Sequence, residues 1–262
     1  LRGLLIAQFC GAFNDNAWKL MVALLAIRQA TVGLAPGPKL ETVAQTQTAM
    51  AFVIFTLPLM LLSLVGGTLA DRVSKRTVII SIKVVEVFLM AAGTAALWLN
   101  PAGGILPLIV LCGMGVHSAL FSPSKYGILP ELIPHERLAA GNGLLEMWTF
   151  AAILTGTAAG GFLLQMAGDQ IWLAPLALTG LSVIGLATAF GIPPVSAARH
   201  AGGLGATIQG AWAAIQSERM LRMAIPMEIL FWTVASLFGQ NLLVYAKAVL
   251  HLSVAMSGRP LT

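Results

Sequence analysis

Asp15 and Lys19 stand four residues apart in an otherwise apolar stretch, with Asn14 and Asn16 beside the carboxylate. That spacing puts both charges on one face of a helix. Such a pair can simply neutralise itself. It can also divide the work, the carboxylate holding a cation and the ammonium an anion such as phosphate. Lys125 and Tyr126 form a second polar point, and Glu146 a third at similar depth in the next apolar stretch. Lys125 can contact an anion, with Glu146 as its partner or as a proton carrier, or it can snorkel to a surface. Lys83 and Glu86, three apart, read as a structural ion pair, and His117 reads as a packing residue. Glu228 and the pair Gln240-Asn241 come late in the chain and could line the same cavity from another direction.

These groups matter because there are so few of them. Of 262 residues, 58% are hydrophobic and only 10% are charged, with a mean hydropathy of +0.87. Soluble domains carry roughly 25% charged residues, so a chain this apolar needs lipid around it. An ionisable side chain at membrane depth costs ~2.5–3.5 kcal/mol, and each one therefore needs a partner or a polar cavity. Asn14 and Asn16 add hydrogen-bonding groups that lipid cannot satisfy, which favours a cavity wall around Asp15.

The elements that must carry these residues are helices of membrane-spanning length. About 20 apolar residues cross a bilayer, and seven such stretches are predicted, at 3–29, 46–70, 77–98, 105–129, 138–167, 171–192 and 221–250. The connections after spans two, four and six, together with the start of span seven, hold Arg72, Lys75, Arg76, Arg137, Arg199, Arg219 and Arg222. Those after spans one, three and five hold only Lys39. The positive-inside rule then makes the N-terminus cytoplasmic. Between spans six and seven, Leu204, Ile208, Ala211, Trp212 and Ile215 recur at helical spacing. This predicts an amphipathic helix on the inner membrane face, or a soluble linker helix. The expected organisation is an all-α, polytopic six-helix bundle over 1–194, a linker over 195–220, and at 221–262 the first helix of a second half. The chain starts at Leu1-Arg2 without Met and is expected to be a fragment.

Several function classes lack their residues. The pI near 9.6 reflects a net charge of only +5, scattered singly or in threes, which does not make a nucleic-acid face. Cys10 and Cys112 sit in apolar runs with no Cys-x-x-Cys or Cys/His cluster, so no metal or other cofactor is expected. There is no G-x-S-x-G and no P-loop lysine, and His135-Glu136 has no second histidine at helical spacing.

The run Gly66-Gly67-Thr68-Leu69-Ala70-Asp71-Arg72-Val73-Ser74-Lys75-Arg76 resembles the loop signature of the major facilitator superfamily. Ser74 stands where that pattern usually has glycine. In physical terms Gly67 is expected to let two helix ends approach. Asp71 is expected to hold helix N-termini or basic side chains, and Arg72, Lys75 and Arg76 to sit at the cytoplasmic surface. The stretch Gln8–Lys19 and the stretch from Phe121 through Glu131 to Glu146 resemble the lysophospholipid transporter branch of that superfamily. Gly156 and Gly160 form a G-x-x-x-G step that close helix packing explains.

What the resemblance implies is a carrier of lysophospholipid, chiefly the ethanolamine type, between the leaflets of a bacterial inner membrane. It would work by rocking of two six-helix halves. The headgroup would meet Asp15 through its ammonium and Lys19 or Lys125 through its phosphate, with Asn14, Tyr126, Glu146 and Glu228 nearby. Some relatives of the branch are fused to acyltransferase and acyl-ligase domains. The expected partners are therefore membrane lipids, the lysolipid, and a fused or separate acylating enzyme. Two other readings stand beside this one: a proton-coupled exporter of drugs or siderophores, and a membrane-embedded acyltransferase.

Overall fold

The computed structural model describes residues 1–35, 37–196 and 204–248, with side chains at all of these except 204 and 235–248. Every regular element among them is helical. The chain forms two compact units, 1–201 and 202–262.

In the first unit the helices are α1 (Arg2–Ala30), α2 (Pro38–Arg72), α3 (Lys75–Leu99), α4 (Ile105–Gly127), α5 (Leu129–Leu132), α6 (Leu138–Ala167) and α7 (Leu173–Ala189). A 3-10 turn, His135–Arg137, precedes α6. α2, α3, α4 and α6 with its preceding turn are long and apolar enough to cross a membrane, and α7 is a shorter apolar helix. Its 17 residues give a length of about 26 Å.

Two boundaries differ from the hydropathy-based expectation, and local chemistry accounts for both. α2 starts at Pro38, well before the expected 46. A proline in the first turn loses no helical hydrogen bond. The hydroxyls of Thr42, Thr46 and Thr48 donate back to Pro38 O, Thr42 O and Ala44 O, so these polar turns satisfy themselves. The polar hairpin expected over 130–137 instead contains α5 and the 3-10 turn, each begun near a proline, Pro130 and Pro134.

α1 is the most enclosed helix. It packs on α6, α7 and α2 and also touches α4, while α2 lies along α4, and α3 lies against α4 and α7. Leu4, Ala7, Asn14, Ala17, Trp18 and Met21 have no exposed surface. The buried apolar residues form two clusters. One gathers Trp18, Met21, Met90, Leu97, Leu111, Met114 and Leu178. The other gathers Leu4, Leu5, Ile79, Phe121, Ile128 and Leu145. On α1, α3 and α4 alike, polar residues fall between the two clusters: Gln8, Asn14 and Asp15, Lys83 and Glu86, and His117 and Ser118. A polar layer thus separates two greasy ones. Apolar side chains cover the outside, among them Met60, Leu61, Phe88, Leu154 and Phe162, where lipid rather than water is the matching solvent.

Small residues set the helix spacing. A Cβ built on Gly156 would lie 2.5 Å from Phe13 O, and one on Gly160 2.6 Å from Ala17 O. The G-x-x-x-G face of α6 therefore rests on the α1 backbone. Gly160→Leu should force the two helices apart. The expected result is loss of most of the monodisperse folded protein in detergent gel filtration, with Gly161→Leu, which meets only the tips of Leu20 and Leu24 near 4 Å, far milder.

The second unit contains α8 (Leu204–Ser217) and α9 (Arg219–Ala248). α8 occupies the stretch where an amphipathic helix is predicted, and its Ile208 and Trp212 are exposed. Arg199, the last two residues of the expected seventh span and the final segment lie outside the described residues, as do the side chains of Leu204, Gln240 and Asn241.

Candidate functional site

Asp15 and Lys19 share a face of α1 but not each other. Asp15 Oδ2 accepts a hydrogen bond from Ser118 Oγ on α4 at 2.6 Å, and its buried Oδ1 has no partner. Lys19 Nζ donates to Asn16 Oδ1 at 3.0 Å and lies 5.2 and 4.9 Å from the ring centres of Phe52 and Phe55 on α2. The two charges are therefore drawn to different neighbours, the carboxylate by a hydroxyl and the ammonium by two aromatic faces. The self-neutralising pair does not form.

Asn14 is placed away from any cavity wall. It is fully buried, and its Nδ2 donates to Glu86 Oε1 at 2.9 Å and to Leu178 O at 3.2 Å. Its role is to tie α1 to α3 and α7. Glu86 also takes a 2.6 Å ion pair from Lys83, and neither side chain reaches solvent. His117 Nε2 lies 3.3 Å from Glu86 Oε2, without hydrogen-bond alignment.

Lys125 lies in the last turn of α4, buried, with its Nζ 4.7 Å from the ring centre of Tyr126. Among the described residues it has no hydrogen bond and no ion pair. The neighbouring tyrosine hydroxyl donates to Glu146 Oε1 on α6, so the carboxylate that faces this region is engaged by Tyr126 rather than by Lys125. Ser118 and Lys125 are seven apart on α4, two turns along one face, roughly 10 Å of rise. A helical lysine leans toward the N-terminus, and this brings its ammonium back toward the level of Asp15. Gln8 Nε2, seven residues before Asp15, donates to Thr149 Oγ1 at 2.8 Å and closes the α1–α6 side. The structure joins Asp15 to α4 through Ser118 and Glu146 to α4 through Tyr126, with Lys125 beside Tyr126, and leaves Lys19 on the α2 side. Glu228 belongs to the second unit, where its Oε1 accepts a 2.7 Å hydrogen bond from Trp232 Nε1. Ser118, Gln8 and Thr149 are the polar members that sequence reasoning passed over. Ser118, adjacent to His117 in an apolar run, was the available signal.

At the other end of α2 the loop signature is a set of ties between helix ends. Lys75 Nζ pairs with Glu131 Oε1 at 2.5 Å. Arg76 Nε donates to Ile192 O at 2.6 Å and its Nη2 to Phe190 O at 3.3 Å, placing a cation on the C-terminal carbonyls of α7. Ser74 has a negative φ of −49°, so this position needs no glycine, and its hydroxyl donates to Val195 O at 2.8 Å. The close approach expected of Gly67 belongs to its neighbour. A Cβ on Gly66 would lie 2.4 Å from Ala119 O, whereas one on Gly67 meets open space. Asp71 and Arg72 are exposed, and Asp71 has no hydrogen bond or ion pair among the described residues. Arg76→Gln removes a charge-assisted contact, worth about 1.5–3 kcal/mol. The expected outcome is a lower melting temperature and faster proteolysis around 190–196.

The sequence profile described as Major Facilitator Superfamily matches residues 4–261. The chain belongs to the major facilitator superfamily. It is therefore a multi-pass membrane protein of a transporter superfamily. Superfamily relatives named "Lysophospholipid transporter LplT" are similar along most of the chain. That of Photorhabdus laumondii is 33% identical over 200 residues, covering 76% of this chain and 44% of the relative. Those of Salmonella newport and Salmonella typhimurium are each 36% identical over 196 residues, covering 74% and 43%. The chain thus spans less than half the length of these curated relatives. Among solved structures, the crystal structure of a POT family transporter in complex with 5-aminolevulinic acid aligns with a TM-score of 0.57. It is 16% identical and covers 89% of this chain and 46% of that one, a likeness of fold alone.

Proposed function

We propose that this chain is the N-terminal part of a secondary transporter that carries lysophospholipid, in the first place lysophosphatidylethanolamine, between the leaflets of a bacterial inner membrane. α1, α2, α3, α4, α6 and α7 act as the six spans of one half, and α9 opens the second half. The basic loop Arg72–Arg76 faces the cytoplasm, as does the N-terminus, in line with the charge bias of the loops.

The observation that carries this reading is the ammonium of Lys125. A buried cation without a carboxylate or carbonyl partner is costly in a membrane unless an anion arrives, and Lys is a common phosphate binder. About two turns away Asp15 keeps one carboxylate oxygen unused, a receiver for the ammonium of an ethanolamine headgroup. Tyr126 and Glu146 fix the wall between α4 and α6, and Lys19 contributes charge from α2's side. A charge-paired site of this kind suits a zwitterion. The named relatives of 33–36% identity support the lipid among possible zwitterions.

Uptake of labelled lysophosphatidylethanolamine into proteoliposomes containing the full-length protein tests this. Unlabelled lysolipid should suppress the signal, and small cationic drugs at equal concentration should leave it unchanged. Suppression by the drugs alone would assign the carrier to a different substrate class.

A further inference from the structure

Three hydroxyls stand on one side of α4: Ser118, Ser122 and Tyr126. Ser122 follows Ser118 by four residues, an offset of about 40° around the helix, and Lys125 follows Ser122 by three, an offset of about 60°. Two of the three hydroxyls have committed their proton. Ser118 donates to Asp15 Oδ2 and Tyr126 to Glu146 Oε1. Ser122 has not. Hydroxyls inside helices commonly turn back to a carbonyl of the preceding turn, and Thr94, Thr149, Thr179 and Thr188 do so here. Among the described residues the Ser122 hydroxyl makes no hydrogen bond, along the helix or across it. Its residue is half-buried and can be reached. Ser124, also unpaired, is fully buried, and two residues of helix turn it about 160° away.

A free donor beside an unpaired ammonium has a chemical meaning. A phosphodiester spreads one negative charge over two non-bridging oxygens. Lys125 can meet one of them. The other would then lack a donor at membrane depth, where an acceptor without a partner is costly. Asp15, which receives the headgroup ammonium as a carboxylate, has no proton to give. The nearby amides are taken, Gln8 Nε2 by Thr149 Oγ1 and Asn16 Nδ2 by Ala12 O. A helical lysine leans toward the N-terminus, and this carries the Lys125 ammonium back toward the level of Ser122, about 4.5 Å earlier along the axis.

We propose that Ser122 is the second anchor of the substrate phosphate. Its hydroxyl donates to one non-bridging oxygen of the lipid phosphodiester while Lys125 holds the other. The inference rests on the headgroup reading, in which Lys125 meets the phosphate and Asp15 the ammonium. Two donors one turn apart on a single helix also set a preference, because a lipid without the phosphate gains from neither.

Binding of labelled lysophosphatidylethanolamine to the full-length protein in lipid nanodiscs tests this, with monoacylglycerol, which lacks the phosphate, as the comparison. Ser122→Ala is expected to weaken lysophosphatidylethanolamine binding about tenfold and to leave monoacylglycerol unchanged. Ser122→Thr keeps the hydroxyl and should retain most of the affinity. In a Lys125→Ala background the loss caused by Ser122→Ala should shrink to about threefold or less, because two donors on one group are coupled. Wild-type affinity in Ser122→Ala, an equal loss for monoacylglycerol, or an undiminished loss in the Lys125→Ala background would overturn the proposal. So would displacement of the labelled lipid by inorganic phosphate with the same dependence on Ser122, which would assign the two donors to the free anion. A loss in Lys125→Ala without one in Ser122→Ala removes Ser122 and leaves the headgroup reading standing. If neither variant loses affinity, the headgroup reading falls as well.

Discussion

Replacing Glu86 by alanine is expected to remove most of the folded protein. Glu86 is the hub of the polar layer, receiving Asn14 on one oxygen and Lys83 on the other, with His117 alongside. Lys83 has no exposed surface and, among the described residues, no ion pair with any other carboxylate. Deleting one member of a buried ion pair typically costs about 3–5 kcal/mol, because the other charge is stranded. That is a large part of a typical stability of about 5–15 kcal/mol. Removing both charges is a different experiment. Lys83→Met with Glu86→Leu replaces the pair by apolar groups of similar bulk, and such swaps are often neutral. The double variant should recover much of the yield and thermal stability lost in Glu86→Ala, short of wild type because Asn14 loses its acceptor. Detergent gel filtration and thermal unfolding of the single and double variants check this. Equal collapse of both would mean that Glu86 matters for its shape rather than its charge.

The second large effect is expected at Lys125. Lys125→Ala removes the cation assigned to the substrate phosphate and leaves the Tyr126–Glu146 hydrogen bond in place. A hydrogen bond to a charged group contributes about 1.5–3 kcal/mol, and every 1.4 kcal/mol is tenfold. Lysolipid uptake should therefore fall by about ten- to hundredfold at substrate concentrations below saturation. Folded yield should change little, since among the described residues the lysine has no ion pair to lose. Lys125→Arg keeps the charge but changes a compact ammonium into a planar fork, and an intermediate rate is expected. Wild-type uptake by Lys125→Ala at low substrate would remove the phosphate contact from the account.

The long apolar segments were legible in the sequence because lipid imposes a length, and α3, α4 and α6 show it. α2 was only partly legible. Its first turns are polar, and Pro38 with three threonine hydroxyls, rather than hydropathy, extend it. The ion pair at Lys83 and Glu86 could be read because its partners are three apart on one helix. The rest of the layer could not. Asn14 meets Glu86 across 72 residues and Ser118 meets Asp15 across 103, and those meetings depend on how each helix is rotated about its axis. The same rotation explains why Asp15 and Lys19, the most suggestive spacing in the chain, do not pair. Four residues on a helix leave an offset of about 40°, enough for one to reach α4 and the other α2. Gly67 shows a similar limit. The motif locates a close approach to within a residue, and the backbone decides that Gly66 makes it.

The central claim is that a zwitterionic lipid head is held between Asp15 and Lys125, and substrate discrimination tests it most directly. Uptake of lysophosphatidylethanolamine and of lysophosphatidic acid, which lacks the ammonium, would be compared in proteoliposomes of wild-type, Asp15→Asn and Lys125→Ala full-length protein. The expected result is a wild-type preference for the ethanolamine lipid that Asp15→Asn abolishes, and a loss of both substrates in Lys125→Ala. An unchanged preference in Asp15→Asn together with undiminished uptake in Lys125→Ala would contradict the account.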